Sequence, residues 1–161
     1  MACHGPGGNS VIPGTPSIAG QPRIFLENQL VLIREGLRQV PAMEAVMRGL
    51  TDEQITALSK HFAAEPARAP AAAAAARPQL RAQAAELSRR ALCGTCHLPD
   101  YRGQNQVPRL AAQQEQYLLA TLKMYRDAPA PGRDTAMGAL LQGFKDAELE
   151  ALAHYFATAA P

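Results

Sequence analysis

Two stretches of the 161-residue chain lie over one another without a gap: MEAVMRGLTDEQITALSKHF, from Met43 to Phe62, and MGALLQGFKDAELEALAHYF, from Met137 to Phe156. Upstream the order of features repeats with slips of one or two residues. Cys3-His4 matches Cys96-His97, and Pro16-Ser17-Ile18-Ala19-Gly20-Gln21 matches Pro108-Arg109-Leu110-Ala111-Ala112-Gln113. Repetition at a fixed spacing means that one structural unit is used twice. The chain is therefore expected to form two small sibling domains rather than one larger core.

The boundary between them falls where large apolar side chains disappear. Between Phe62 and Leu80 the sequence AAEPARAPAAAAAARPQ carries Pro66, Pro70 and Pro78, and nothing in it can anchor a core. Prolines block a continuous helix and hold short pieces extended, so this reads as a semi-rigid tether, with a transient helical turn open to the six alanines Ala71 to Ala76. The expected division is a first domain over 1–64, an Ala/Pro-rich linker over 65–78 and a second domain over 79–161.

Each half reads as helical. Leu80, Ala84, Leu87 and Ala91 recur at helical spacing over Leu80 to Leu92, giving one buried stripe. Leu26, Leu30, Ile33 and Leu37 do the same in the first half, as do Leu118, Leu122 and Tyr125 in the second. Thr51-Asp52-Glu53-Gln54 is a capping-box pattern opening a helix with the core face Ile55, Leu58 and Phe62, which Leu149, Leu152 and Phe156 reproduce. No stretch alternates with period two between hairpin turns, so the fold class is all-α.

Charge and hydropathy exclude several partners. Sixteen Lys and Arg against fourteen Asp and Glu leave a net charge of +2, too near balance to argue for nucleic acid or an acidic membrane surface. The longest apolar run falls far short of the roughly 20 residues that a membrane span requires.

Cys93-Gly94-Thr95-Cys96-His97 is the CxxCH pattern of covalent haem attachment. On one helical turn, thiols three residues apart project to the same side and can add to two vinyl groups, while the adjacent histidine is held under the iron. A redox-active or zinc-binding CxxC is the competing reading, because three cysteines with His4 and His97 could assemble a tetrahedral site. The methionines favour haem. A second axial ligand is needed, and a thioether is a soft donor that raises the reduction potential. Met137 lies 40 residues past His97 and Met43 lies 39 past His4. These two coincide in the repeat, whereas Met47 and Met124 do not and read as core filler. The loop Pro129 to Thr135 before Met137 is suited to wrap a haem edge.

The two CxxCH-like sites, the PSIAGQ and PRLAAQ segments, and the VPAM segment before a capped last helix resemble the dihaem cytochromes c of the cytochrome c4 type. The resemblance spans nearly the whole chain. It implies two tandem class I cytochrome c domains, each with one haem c attached through cysteine (Cys93 and Cys96 in the second, Cys3 in the first). It implies axial pairs His97 with Met137 and His4 with Met43, and backbone carbonyls of Pro16 and Pro108 that orient the histidines. It also implies an electron carrier rather than an enzyme, located in the periplasm and relaying single electrons between a membrane donor complex and a terminal oxidase or reductase. A cytochrome subunit feeding a separate catalytic chain of a multi-protein oxidoreductase is the alternative.

The first half departs from the pattern at Met1-Ala2-Cys3-His4, where the first cysteine of the motif would precede Met1. The second half has a helix ahead of its CxxCH and the first has no counterpart; a signal peptide is also missing, although such haem attachment belongs to an exported compartment. The expectation is that Met1 is internal to a longer chain, with a cysteine encoded just upstream; a degenerate site using Cys3 alone, or holding no haem, is the alternative. Without a partner for Ile55, Leu58 and Phe62, the first half is expected to be the less stable one. His61 and His154 read as surface residues on the last helices. Arg89, Arg90, Arg102 and Arg109 read as cations around the second site, facing solvent, a propionate or an acidic partner.

Overall fold

The computed structural model describes residues 3–70, 77–128 and 131–161. The alanine tract 71–76, where a helical turn is an expectation, and the first two residues of the loop before Met137 lie outside the described residues, as do Met1 and Ala2. A short 3-10 turn, Pro6–Gly8, precedes α1 (Arg23–Arg34), α2 (Pro41–Met47) and α3 (Asp52–Ala64); α4 (Pro78–Arg90), α5 (Cys93–His97), α6 (Glu115–Asp127), α7 (Thr135–Leu141) and α8 (Asp146–Ala157) follow. Among the described residues the one β contact is an isolated bridge between Gln104 and Val107, so the fold is all-α.

Local chemistry sets the helix starts. Gln54 N–H donates to Thr51 Oγ1 at 3.3 Å and Thr51 N–H donates to Gln54 Oε1 at 2.9 Å, closing the capping box that the sequence predicts for α3. Proline occupies the first turn of α2 and α4, where its missing N–H costs no intrahelical bond. Asp134 caps α7 by accepting from Ala136 N–H at 2.8 Å.

Two apolar cores result. Ile33, Met47 and Ile55, from α1, α2 and α3, form one. Ala84, Leu87, Leu118, Leu122, Leu141, Leu149, Leu152 and Phe156, from α4, α6, α7 and α8, belong to the other. The repeat extends to individual bonds. Gly20 N–H donates to Phe62 O at 2.9 Å, and Ala112 N–H donates to Phe156 O at 3.0 Å. Both donors sit at positive φ, 63° and 54°, the left-handed region in which Gly20 is free and Ala112 is strained. Arg34 reaches Leu50 O at 2.9 Å and Asp52 at 2.8 Å, while Arg126 reaches Phe144 O at 2.9 Å and Asp146 at 2.7 Å.

The halves differ on one face. In the second, α4 packs along α8, and Ala151 and Leu152 are buried. The matching face of α3 is uncovered: Ala57 is exposed, Leu58 and Phe62 are half-buried, and Leu50, Gln54, Ala57, Leu58 and His61 line an apolar groove of about 380 Å³.

Two expectations need correction. Leu37 is not a helical stripe residue, and the helix expected over Leu80 to Leu92 stops short of its end: α1 ends at Arg34 and α4 at Arg90, and Leu37 and Leu92 are exposed, at 53% and 68%. Leu37 follows the left-handed Gly36, and Leu92 is itself left-handed, so the periodicity runs past where the backbone turns. The start of the linker is fastened to the first half, where Asn9 donates from Nδ2 to Pro66 O at 3.0 Å and accepts Arg68 N–H at 2.8 Å. Arg109 is not a surface cation. It is 3% exposed in a polar seam between the halves, where its guanidinium donates to Ala111 O and, at 2.8 Å, to Ala19 O. Burial pushes its pKa down to about 10.

Candidate haem sites

α5 is a single turn bounded by two residues at positive φ, Leu92 at 55° and Leu98 at 68°. Those two reversals isolate Cys93-Gly94-Thr95-Cys96-His97 as a turn of its own. Cys93, Cys96 and His97 stand at i, i+3 and i+4 and therefore share one face. None of the three cysteines is in a disulfide. Cys93 is half-buried against the second core, and burial pushes its pKa up; Cys96 is exposed.

His97 is 4% exposed. Its Nδ1 lies 2.8 Å from Pro108 O, which fixes the tautomer with the proton on Nδ1 and leaves Nε2 as the donor atom to a metal. No other hydrogen bond of this ring is made among the described residues. Burial pushes the His97 pKa down, against the opposing pull of the Pro108 carbonyl and the Asp134 carboxylate. Asp134 caps the start of α7, the helix that bears Met137. Met137 is half-buried on the same core that Cys93 touches.

The first half repeats this geometry in part. Cys3 is exposed and His4 half-buried, with His4 Nδ1 2.8 Å from Pro16 O. Met43 lies in α2 as Met137 lies in α7, and it packs half-buried on the first core. Met47, read as filler, is 1% exposed within that core; Met124 is half-buried in α6.

Arg89, Arg90 and Arg102 are exposed, and Arg89 pairs with Glu86. His61 is exposed as expected, but His154 is not a surface residue. It is 2% exposed, with Nδ1 3.0 Å from Glu115 Oε2 and 2.8 Å from Arg77 Nη2. Helix periodicity cannot reveal partners 39 and 77 positions away. Sequence reasoning also passed over Gln21 and Gln113, which are 4% and 2% exposed in the seam; the signal was their coincidence in the repeat. Tyr101 was missed as well. Its hydroxyl lies 3.0 Å from Ser88 Oγ, and its ring meets Phe156 edge-on at 4.9 Å.

The donor set fits haem c: two thiols on one turn, an imidazole with its tautomer fixed, and a thioether on the neighbouring core wall. It does not fit the zinc reading, because no group of three or more His, Cys, Asp or Glu side chains that could hold a metal ion occurs among the described residues.

Comparison with known proteins agrees. Residues 82–160 match the family model described as Cytochrome c. The chain is 32% identical to cytochrome c4 of Thiocapsa roseopersicina over 96% of this chain and 84% of that relative. It is 30% identical to the thiosulfate dehydrogenase electron acceptor of Thiomonas intermedia (strain K12), over 98% of this chain and 76% of the relative. The crystal structure of reduced recombinant cytochrome c4 from Pseudomonas stutzeri superposes with a TM-score of 0.88 at 26% identity, covering 99% of this chain and 92% of that one. With its doubled domain, its CxxCH turn and this likeness along nearly its full length, the chain belongs to the cytochrome c4 family of dihaem electron carriers.

Proposed function

We propose that the chain carries single electrons in the periplasm through haem c held on Cys93 and Cys96 in the second half and on Cys3 in the first, with His97 and Met137, and His4 and Met43, as axial pairs. The division into domains over 1–64 and 79–161, joined by 65–78, belongs to the same reading. Bound haem c supplies one-electron exchange at its iron.

The residues contribute the rest. Cys93 and Cys96 anchor the group covalently, so it does not dissociate between partners. The Pro108 and Pro16 carbonyls hold the histidines by Nδ1 at 2.8 Å in both halves, leaving Nε2 of each ring to face the metal and raising its basicity. That matched pair of bonds is the observation that carries the reading, since a structural histidine has no need of the same partner twice. Met137 and Met43 would supply the second protein ligand to the group, and an iron held by protein from both sides would leave no site for a substrate and little to rearrange on electron transfer. No helix among the described residues is long and apolar enough to cross a membrane; the partners in this reading are a membrane donor complex and a terminal oxidase or reductase.

Likeness to a protein named as the electron acceptor of thiosulfate dehydrogenase supports a second reading, in which the donor is a separate catalytic oxidoreductase and this chain acts as its cytochrome partner. Spectroelectrochemical titration of the exported protein tests the main proposal: reversible one-electron waves from covalently bound haem are expected. Stopped-flow reduction by a partner dehydrogenase, faster than by a membrane complex, would favour the second reading.

A further inference from the structure

The peptide group that follows each of the two prolines is used at both ends. Pro108 O faces His97 Nδ1 at 2.8 Å, and the N–H of that same peptide, on Arg109, donates to Gln21 Oε1 at 2.9 Å across the seam. Gln21 Nε2 then donates to Arg109 O at 3.0 Å. In the other half, Pro16 O faces His4 Nδ1 at 2.8 Å, Ser17 N–H donates to Gln113 Oε1 at 2.6 Å, and Gln113 Nε2 donates to Ser17 O at 2.9 Å. Each glutamine amide thus docks on one residue of the opposite half, and that residue supplies the N–H of the peptide whose carbonyl holds the histidine. Ser17, Gln21, Arg109 and Gln113 are all buried.

We propose that Gln21 and Gln113 are positioning residues acting across the seam: Gln21 strengthens the Pro108 carbonyl as the acceptor for His97, and Gln113 does the same at Pro16 for His4. Each half therefore sets the basicity of the other half's histidine. The inference rests on His97 ligating iron, as argued under Proposed function.

The physical ground is amide polarisation. A peptide whose N–H is accepted by a good oxygen carries more negative charge on its carbonyl, and in a buried, low-dielectric setting chained hydrogen bonds strengthen one another by roughly 10–30% per bond. A firmer bond at Nδ1 makes Nε2 a stronger donor to iron, which favours the ferric state and lowers the reduction potential. A seam needed only for adhesion would not require its glutamines on these two peptides out of all those available.

The test uses the full haem-loaded chain and reads the potential of the haem on Cys93 and Cys96. Gln21→Leu, a change in the other half, is expected to shift its ferrous-to-ferric equilibrium toward ferrous by about two- to fourfold, about 18–36 mV at ~59 mV per tenfold for one electron. Gln113→Leu, although in the same half as this haem, is expected to leave it unmoved. So is Gln114→Leu, which removes only a seam bond to Ser10 O. Gln21→Glu keeps an acceptor oxygen over Arg109 N–H and is expected not to raise the potential. Amide exchange at Arg109 reads the same contact without the haem and should accelerate in Gln21→Leu but not in Gln113→Leu. An unmoved potential in Gln21→Leu, equal shifts in all three leucine variants, or a rise in Gln21→Glu would overturn the relay. Absence of haem from Cys93 and Cys96 would instead defeat the haem reading itself, whereas a bound haem with an unmoved potential defeats the relay alone.

Discussion

Leu152 and Leu58 occupy the same place in the repeat, and truncating each to alanine measures what α4 contributes. Leu152 is 1% exposed under α4, so Leu152→Ala leaves a closed cavity and should cost about 2–5 kcal/mol. Leu58 is half-buried and borders the open groove beside Leu50, Ala57 and His61. Its truncation widens an existing space rather than creating a void, so only part of the transfer free energy is lost, about 1 kcal/mol. At roughly 4–8 °C per kcal/mol for a domain of this size, the midpoints of the two variants should be clearly separated. Thermal unfolding of the haem-loaded chain, followed by far-ultraviolet circular dichroism, gives the midpoints; amide exchange in α3 and α8 assigns each loss to its half. Equal losses would mean that the face of α3 is as well covered as that of α8, and the reasoning from the groove would fail.

Met137→Ala should lower the reduction potential of the second haem in a potentiometric titration, because a thioether favours ferrous iron, while Met124→Ala should not; equal effects would remove Met137 from the ligand set. Lys123 and Arg126 hold the Asp146 carboxyl below its ordinary 3.8. A carboxylate with a depressed folded pKa adds stability above its unfolded value and loses it as pH falls through the folded one. Asp146→Asn should therefore flatten the loss of stability below about pH 4, and an unchanged acid slope would contradict that. Amide exchange in the 161-residue chain should be faster in α3 than in α8, since Ala57, Leu58 and His61 of α3 border an open groove whereas Ala151 and Leu152 of α8 are buried; equal protection would contradict the asymmetry.

Much of the fold was legible because it depends on local rules. The capping box at Thr51 and the apolar stripes of α4 and α6 follow from side-chain spacing along one helix, and the doubled unit follows from comparing the chain with itself. The CGTCH turn was legible as chemistry for the same reason: its residues are neighbours. What escaped depends on contacts between distant segments. Arg109 looked like any surface arginine because its partners, Ala19 O and Ala111 O, are backbone atoms that no sequence pattern marks. His154 was misplaced because Glu115 and Arg77 reach it from other elements. Leu37 keeps helical periodicity beyond the reversal at Gly36, and the helix expected over Leu80 to Leu92 runs past the end of α4 at Arg90, because apolar spacing alone does not mark where a backbone turns. Gln21 and Gln113 were visible as a coincidence of the repeat, but their meaning lay in the seam, which only packing reveals.

The account turns on a haem covalently held by the Cys93–His97 turn. Absorption and peptide mass of the exported protein, taken after full unfolding in denaturant, test this most directly. The prediction is that haem stays with the peptide bearing Cys93 and Cys96, its mass present as an adduct through two thioether bonds. A colourless protein, or haem that washes away on unfolding, would contradict it.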